Sequence, residues 1–247
     1  MSSSGHLILL PNLTGLADQG QTIDVAVHVG TLVAVVIYFW SDVREGLIGL
    51  GHLVRGRRDT PGAKLAINLI IATIPVILVG LLIEVAGVSE ALRSTAIIGW
   101  TMLIFGIVLY WADQKGAEVK VAEEWSLKQA VILGLWQAVA LIPGTSRSGI
   151  TITGARLLGY KRTDAAKISM LMSIPTIMAS GVLLGIEVAA DADWAVARDG
   201  AIAAVFSFIS ALLALTLMMR LLRSVSFTPY VIYRVILGVV LLAIAYS

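Results

Sequence analysis

Apolar runs of about twenty residues without a charged side chain recur along this chain, and they restrict its fold more than any other feature. A helix of about 20 residues crosses the ~30 Å hydrocarbon core of a bilayer. Only 14% of the residues are charged, against about 25% in soluble domains. We therefore predict an all-α membrane protein, a single polytopic domain over residues 1–247. Its six predicted spans are Val25–Trp40, Leu65–Ile83, Ser94–Ala112, Ile168–Ile186, Gly200–Met219 and Phe227–Tyr246.

The segment Gln129–Gly159 is apolar but is interrupted by a Pro-Gly pair and by two arginines, Arg147 and Arg156, with only eight uncharged residues between them. Such a short piece cannot cross a bilayer. If the segment enters and returns to the same side, thirteen loop Lys and Arg residues share one face and two lie on the other, as expected for cytoplasmic loops. A full crossing would remove this bias, so we predict a re-entrant helix pair. The thirteen residues are Arg44, Arg55, Arg57, Arg58, Lys64, Lys115, Lys120, Lys128, Lys161, Arg162, Lys167, Arg220 and Arg223, against Arg93 and Arg198.

The segment Pro143–Thr151 contains four hydroxyl side chains, one guanidinium and two glycines between two apolar half-helices. A half-helix that starts near Ser148 offers free backbone N–H groups to phosphate, and Arg147 adds a planar fork of donors. A simple helix kink would explain the hydroxyls but not an arginine at membrane depth, since such residues usually mark a site. We predict a phosphate-binding site here.

A second cluster of small hydroxyls and glycine, Ser2–His6, precedes the apolar run Leu7–Leu10. His6 can exchange a proton near neutral pH. By itself the cluster could be an unstructured tail, but its likeness to the first one favours an inverted repeat of broken helices.

Net charge and cysteine content exclude several functions and kinds of site. A net charge of +2 without a basic face argues against nucleic-acid binding, and the absence of cysteine excludes disulfides and cysteine-based metal sites.

The basic segment after Trp40 is expected to be a cytoplasmic loop. Arg234, inside the last predicted span, either extends to the cytoplasmic face or pairs within the bundle.

The chain resembles the undecaprenyl pyrophosphate phosphatase family of the bacitracin-resistance type. The family motif Pro-Gly-x-Ser-Arg-Ser-Gly-x-Thr matches Pro143–Thr151, and Ser-Ser-(Ser/Thr)-Gly-His matches Ser2–His6. A carboxyl-terminal pattern resembles Ser226–Arg234. The resemblance covers essentially the whole chain and implies six transmembrane helices with two re-entrant pairs in an inverted repeat, of which the first pair is incomplete here.

By this resemblance the reaction is hydrolysis of undecaprenyl pyrophosphate to the monophosphate carrier lipid and inorganic phosphate. Arg147 would grip the diphosphate, Ser146 would be nucleophile or phosphate ligand, and His6 would be general acid, general base or nucleophile. The expected catalytic residues are Arg147, Ser146 and His6, and the expected substrate-binding residues are Ser3, Ser4, Gly144, Thr145, Ser148 and Thr151.

The family's amino-terminal acidic motif, Glu-x-x-x-Glu or Gln-x-x-x-Glu, has no counterpart here, because it would precede Met1. We expect an in-frame segment upstream that encodes it. In the family these carboxylates are associated with catalysis and with a divalent cation, Mg or Ca, so no residue of this sequence takes that role.

Two rival functions belong to other groups of membrane proteins. Phosphatidic-acid-type phosphatases place a histidine beyond their Ser-Arg element, and no histidine follows His52 here. A polyprenyl-phosphate flippase or another inverted-repeat transporter stays open as the alternative. The expected location is the bacterial inner membrane, with the catalytic cavity open to the periplasmic side. The sequence is compatible with a homodimer and does not determine the oligomeric state.

Overall fold

The computed structural model describes residues 20–88, 91–190 and 194–246, and within them the chain is helical apart from short turns. This confirms the all-α prediction. Two 3-10 turns, Ala91–Arg93 and Ala122–Glu124, lie in the connections. The α-helices are α1 (Gly20–Tyr38), α2 (Trp40–Val54), α3 (Pro61–Val85), α4 (Thr95–Lys115), α5 (Leu127–Val139), α6 (Arg147–Leu157), α7 (Arg162–Ala190), α8 (Trp194–Leu221) and α9 (Thr228–Tyr246).

Four stretches of the described helices are long and apolar enough to cross a membrane, and they coincide with predicted spans. The bent pair of α1 and α2 passes the same test as a fifth. The remaining predicted span, residues 168–186, lies within the 29-residue helix α7. The number six therefore stays a prediction. The four stretches are Pro61–Val85, Thr95–Lys115, Arg198–Leu221 and Thr228–Tyr246.

The segment after Trp40 is not the loop that we predicted but the helix α2, which is bent by 90° from α1. Gly49 explains this difference, because a Cβ atom at Gly49 would overlap the backbone of Gly62 at the start of α3. His52 Nδ1 also lies 3.0 Å from Thr60 Oγ1. Close packing between two glycines stabilises a helix that the surrounding charges do not suggest.

The predicted re-entrant pair is a hairpin of two short helices. The 13 residues of α5 and 11 of α6 rise only about 20 Å and 17 Å, less than a bilayer requires. The two ends of the hairpin meet, because Lys120 N donates to Gly159 O at 3.0 Å and Lys161 N donates to Lys120 O at 3.0 Å. The chain thus enters and leaves this hairpin on one side, which confirms the predicted return.

The described residues divide into two compact units. One comprises residues 68–169 and 222–246, and the other comprises residues 20–67, 170–190 and 194–221. In the second unit α1 packs closely on α8, where Ser207 Oγ donates to Val27 O at 2.8 Å. The first unit contains the hairpin and every described residue of the predicted site.

Helices α4 and α9 form the core of the first unit. A Cβ atom at Gly99 would lie 3.2 Å from Gly238 O, so both helices approach through glycine. Around this contact the buried side chains of Ile98, Met102, Leu237 and Leu241 form one apolar cluster. This helix pair provides the surface against which the hairpin packs.

A buried ion cluster attaches the end of α4 to the hairpin. The carboxylate of Asp113 accepts bonds from Arg156 Nε at 3.0 Å and Arg162 Nε at 2.9 Å, and its second oxygen accepts from Phe227 N at 3.0 Å. Both Asp113 and Arg156 are almost fully buried. Asp113 thus joins residues from α6, from the start of α7 and from the turn before α9, and we call these four residues the Asp113 cluster.

Candidate active site

The loop between α5 and α6, residues 140–146, forms the tip of the hairpin and lies beside α4. The hydroxyl of Thr101 on α4 is 2.6 Å from Pro143 O. Thr101 lies 14 residues before the carboxyl end of α4, which is about 21 Å of helix. Asp113 holds the base of the hairpin near the carboxyl end of α4. The tip of the hairpin therefore lies about 21 Å from that end, in the middle part of a membrane-spanning helix.

Gly144 adopts a positive φ of 85°, a conformation that L side chains rarely tolerate. A Cβ atom here would overlap Thr101 Oγ1 and lie 2.6 Å from Ile98 O. Both the turn and the close approach to α4 therefore require glycine at this position. The first glycine of the Pro-Gly-x-Ser-Arg motif is explained by the packing of the loop.

Ser146 precedes α6 as its N-cap and, in the described part of the chain, is the one residue other than glycine with positive φ, 69°. Its Oγ accepts from Gly149 N at 3.2 Å and lies 3.4 Å from Ser148 Oγ. Non-glycine residues with such φ values concentrate at functional sites. The strained backbone places the Ser146 hydroxyl at the first turn of α6.

Arg147 is the first residue of α6, one residue earlier than the predicted helix start, and is half-buried. Because Cα–Cβ bonds tilt toward the amino end of a helix, its side chain leaves the backbone at the end where free N–H groups collect. The helix dipole adds positive potential at the same place. The predicted guanidinium and the predicted anion-binding helix end therefore coincide.

Arg234 is the seventh residue of α9 and resolves the alternative that the sequence left open. Its Nη2 donates to Gly144 O at 3.2 Å and to Thr145 O at 2.8 Å, and the residue is 2% exposed. It therefore pairs within the bundle with the hairpin loop. Only the packing of α9 against the loop places this second guanidinium at the site, since the two are about 90 residues apart in sequence.

The predicted hydroxyl ligands differ in their surroundings. Thr151 Oγ1 is buried and lies 2.8 Å from Arg147 O and 2.6 Å from Ser169 Oγ, so it already has partners within the protein. Thr145 is also buried, but its Oγ1 has no hydrogen-bond partner within the described residues. Ser148 is half-buried. In this structure Thr145, Ser146 and Ser148 have more capacity for a ligand than Thr151.

The predicted residues of the amino-terminal cluster, Ser3, Ser4 and His6, lie outside the described residues. Across the described ranges no group of three His, Asp or Glu side chains could hold a metal ion. The two arginines at the hairpin tip also repel a cation unless an anion accompanies it. The described residues alone therefore do not fit the cation that the resemblance implies, and they fit an anion well.

Comparisons with known proteins cover the whole chain. The family model described as "Bacitracin resistance protein BacA" matches residues 1–240. A protein of Ruegeria pomeroyi named undecaprenyl-diphosphatase is 72% identical over 247 residues, which is 100% of this chain and 92% of that protein. A protein of Dinoroseobacter shibae with the same name is also 72% identical over the same shares. Undecaprenyl-diphosphatase 1 of Rhodospirillum rubrum is 44% identical over 252 residues, or 100% of this chain and 89% of that protein.

Proposed function

This chain belongs to the family of the bacitracin resistance protein BacA, and we propose from this premise that it is an undecaprenyl-diphosphatase. It is an integral membrane hydrolase that converts undecaprenyl pyrophosphate and water into undecaprenyl phosphate and inorganic phosphate. The reaction recycles the carrier lipid of wall-polymer synthesis, and it accounts for the bacitracin resistance in the family's name.

The observation that carries this proposal is the amino end of α6, which two arginines accompany at the tip of a hairpin. Backbone N–H groups at a helix start bind phosphate, and guanidinium groups match phosphoryl oxygens. Such an arrangement inside an apolar chain provides the electrostatic stabilisation on which phosphoryl transfer mainly depends. A transporter would need a binding site too, but the names of the similar proteins favour the hydrolase.

We assign Arg147 to hold the diphosphate oxygens and to stabilise the charge that develops as the phosphoanhydride bond breaks. Ser146 attacks the terminal phosphorus or binds its oxygens, and His6 gives or takes the proton or is itself the nucleophile. Gly144, Thr145, Ser148 and Thr151 shape the phosphate-binding loop. Ser3 and Ser4 belong to the same site in this proposal, as ligands from the amino-terminal cluster.

The activity is tested by phosphate release from undecaprenyl pyrophosphate by the purified protein in detergent. A hydrolase releases phosphate without a membrane gradient, whereas a flippase does not. We expect turnover with Mg or Ca, its loss with a chelator, and its return when the cation is added back. Strong substrate translocation in proteoliposomes without phosphate release in detergent would instead favour the flippase.

We also propose that the protein lies in the bacterial inner membrane and that its catalytic cavity opens to the periplasmic side. The asymmetry of Lys and Arg between the two faces supports this orientation. Since the chain has no cysteine, single cysteines can report it. We expect a membrane-impermeant maleimide to label Val88→Cys but not Arg57→Cys in spheroplasts, and the opposite result would reverse the orientation. A homodimer stays a prediction, which cross-linking in native membranes tests.

A further inference from the structure

Arg234 keeps most of its hydrogen-bonding capacity unused although it is buried. Nη2 bonds the two loop carbonyls, but Nε and Nη1 have no partner among the residues that the structure describes. In a spanning helix, water does not readily satisfy such donors, and a buried charged group without acceptors is strongly unfavourable. The loop carbonyls thus accept hydrogen bonds from one nitrogen of Arg234 and provide no acceptor for the other two.

One of these nitrogens, Nη1, lies against the start of α6. A Cβ atom at Gly149, in the first turn of α6, would overlap Arg234 Nη1. The hydroxyl of Thr145 in the adjoining loop is likewise buried, with no partner in the described ranges. Arg234 Nη1 and the Thr145 hydroxyl are therefore two buried polar groups without a partner in the described part of the chain, one at the start of α6 and one in the adjoining loop, where an anion could bond to both.

Among the described residues, no carboxylate forms an ion pair with Arg234. A Cβ atom at Gly106 on α4 would lie 3.6 Å from the Cβ of Arg234, and Asp113 lies two turns, or about 10 Å, further along α4 than Gly106. Asp113 is already bonded by Arg156 and Arg162. The positive charge of Arg234 is therefore available to a ligand.

We propose that Arg234 is a second substrate-binding guanidinium, which donates from Nη1 to a phosphate oxygen of the diphosphate while Nη2 holds the loop. The diphosphate carries more than one negative charge, so that Arg147 and Arg234 together match it better than either arginine alone. Arg234 thus links the position of the loop to the presence of the ligand. This inference rests on the proposed function for the identity of the natural ligand.

The test measures binding of inorganic diphosphate to the full-length protein in detergent, from the rise of Tm over a concentration series at constant ionic strength. We expect the wild-type Tm to rise with diphosphate. Arg234→Gln should weaken the apparent affinity about tenfold or more, and Arg234→Lys should retain part of it, because a charge without the planar fork remains. Gly149→Ala keeps every charge but displaces Nη1, so it should also weaken binding.

Arg223→Gln is the matched control, since Arg223 is exposed in the turn before α9, and it should bind diphosphate as the wild type does. A purely structural Arg234 would lower the Tm without ligand but leave the dependence on diphosphate unchanged, which would overturn the inference. A wild-type Tm that does not respond to diphosphate would also overturn it. Diphosphate binding that requires Arg234, without phosphate release from the lipid, would refute the proposed hydrolase and leave this inference standing.

Discussion

Replacement of Arg147 by lysine should reduce phosphate release from undecaprenyl pyrophosphate by about 100-fold or more, the loss seen when a preorganised donor to a developing oxyanion is removed. Lysine keeps the charge at the start of α6, so simple attraction of the diphosphate persists. It cannot reproduce the rigid fork of donors that engages two oxygens at once. The effect should therefore fall mainly on kcat and less on KM.

The variant should fold normally, because lysine and arginine have similar helix propensities and Arg147 lies at the end of α6. An unchanged Tm would show this. Arg223→Lys provides the same chemical change at an exposed position and should leave kcat unaltered. Wild-type turnover of Arg147→Lys would remove Arg147 from the mechanism and would leave Arg234 as the main guanidinium of the site.

Replacement of Asp113 by asparagine should lower the free energy of unfolding more than any other substitution proposed for this protein. The substitution removes the one buried carboxylate that pairs with Arg156 in the described chain and leaves it only the exposed Glu118. Removal of one partner from a buried ion pair costs about 3–5 kcal/mol. For a chain of this length each kcal/mol lowers Tm by about 2–4 °C, so a fall of roughly 6 to 20 °C is expected. The hairpin would lose the cluster that holds its base, so activity should fall as well.

Glu118→Gln is the matched control for this change. Glu118 also pairs with Arg156 and Arg162, but its side chain is 45% exposed, and exposed pairs contribute about 1 kcal/mol or less. The Tm of this variant should stay within about 4 °C of the wild type. If Asp113→Asn and Glu118→Gln lowered Tm by the same amount, the burial of Asp113 would not be the reason that it stabilises the fold.

Much of the fold follows from local spacing in the sequence. The charge-free stretches predict α3, α4, α8 and α9, because the transfer of about twenty apolar residues into hydrocarbon favours a helix whatever surrounds it. The re-entrant hairpin follows from a length argument, since neither half of Gln129–Gly159 reaches across a bilayer. Gly144, Ser146 and Arg147 were recognisable as a phosphate motif because they are adjacent in the chain.

The tertiary structure decided where the buried polar groups find partners. Arg234 allowed two interpretations from sequence, since its partners Gly144 and Thr145 lie 90 and 89 residues away. Asp113 gave no signal, because its bonds to Arg156 and Phe227 N span 43 and 114 residues. Helix α2 was missed for a related reason, since it packs on the start of α3 through Gly49 and Gly62, a tertiary contact that no local pattern shows.

Hydrophobic partition depends on the composition of each segment and can be read along the chain. The partner of a buried charge depends instead on which helices pack together. In this protein the sequence alone determined four of the membrane helices and the hairpin, and it marked the predicted phosphate motif. Only the packing of α4, α6 and α9 decided that Arg234 joins that motif and that Asp113 holds its base, because hydrogen bonds act over a few ångströms in space and not along the chain.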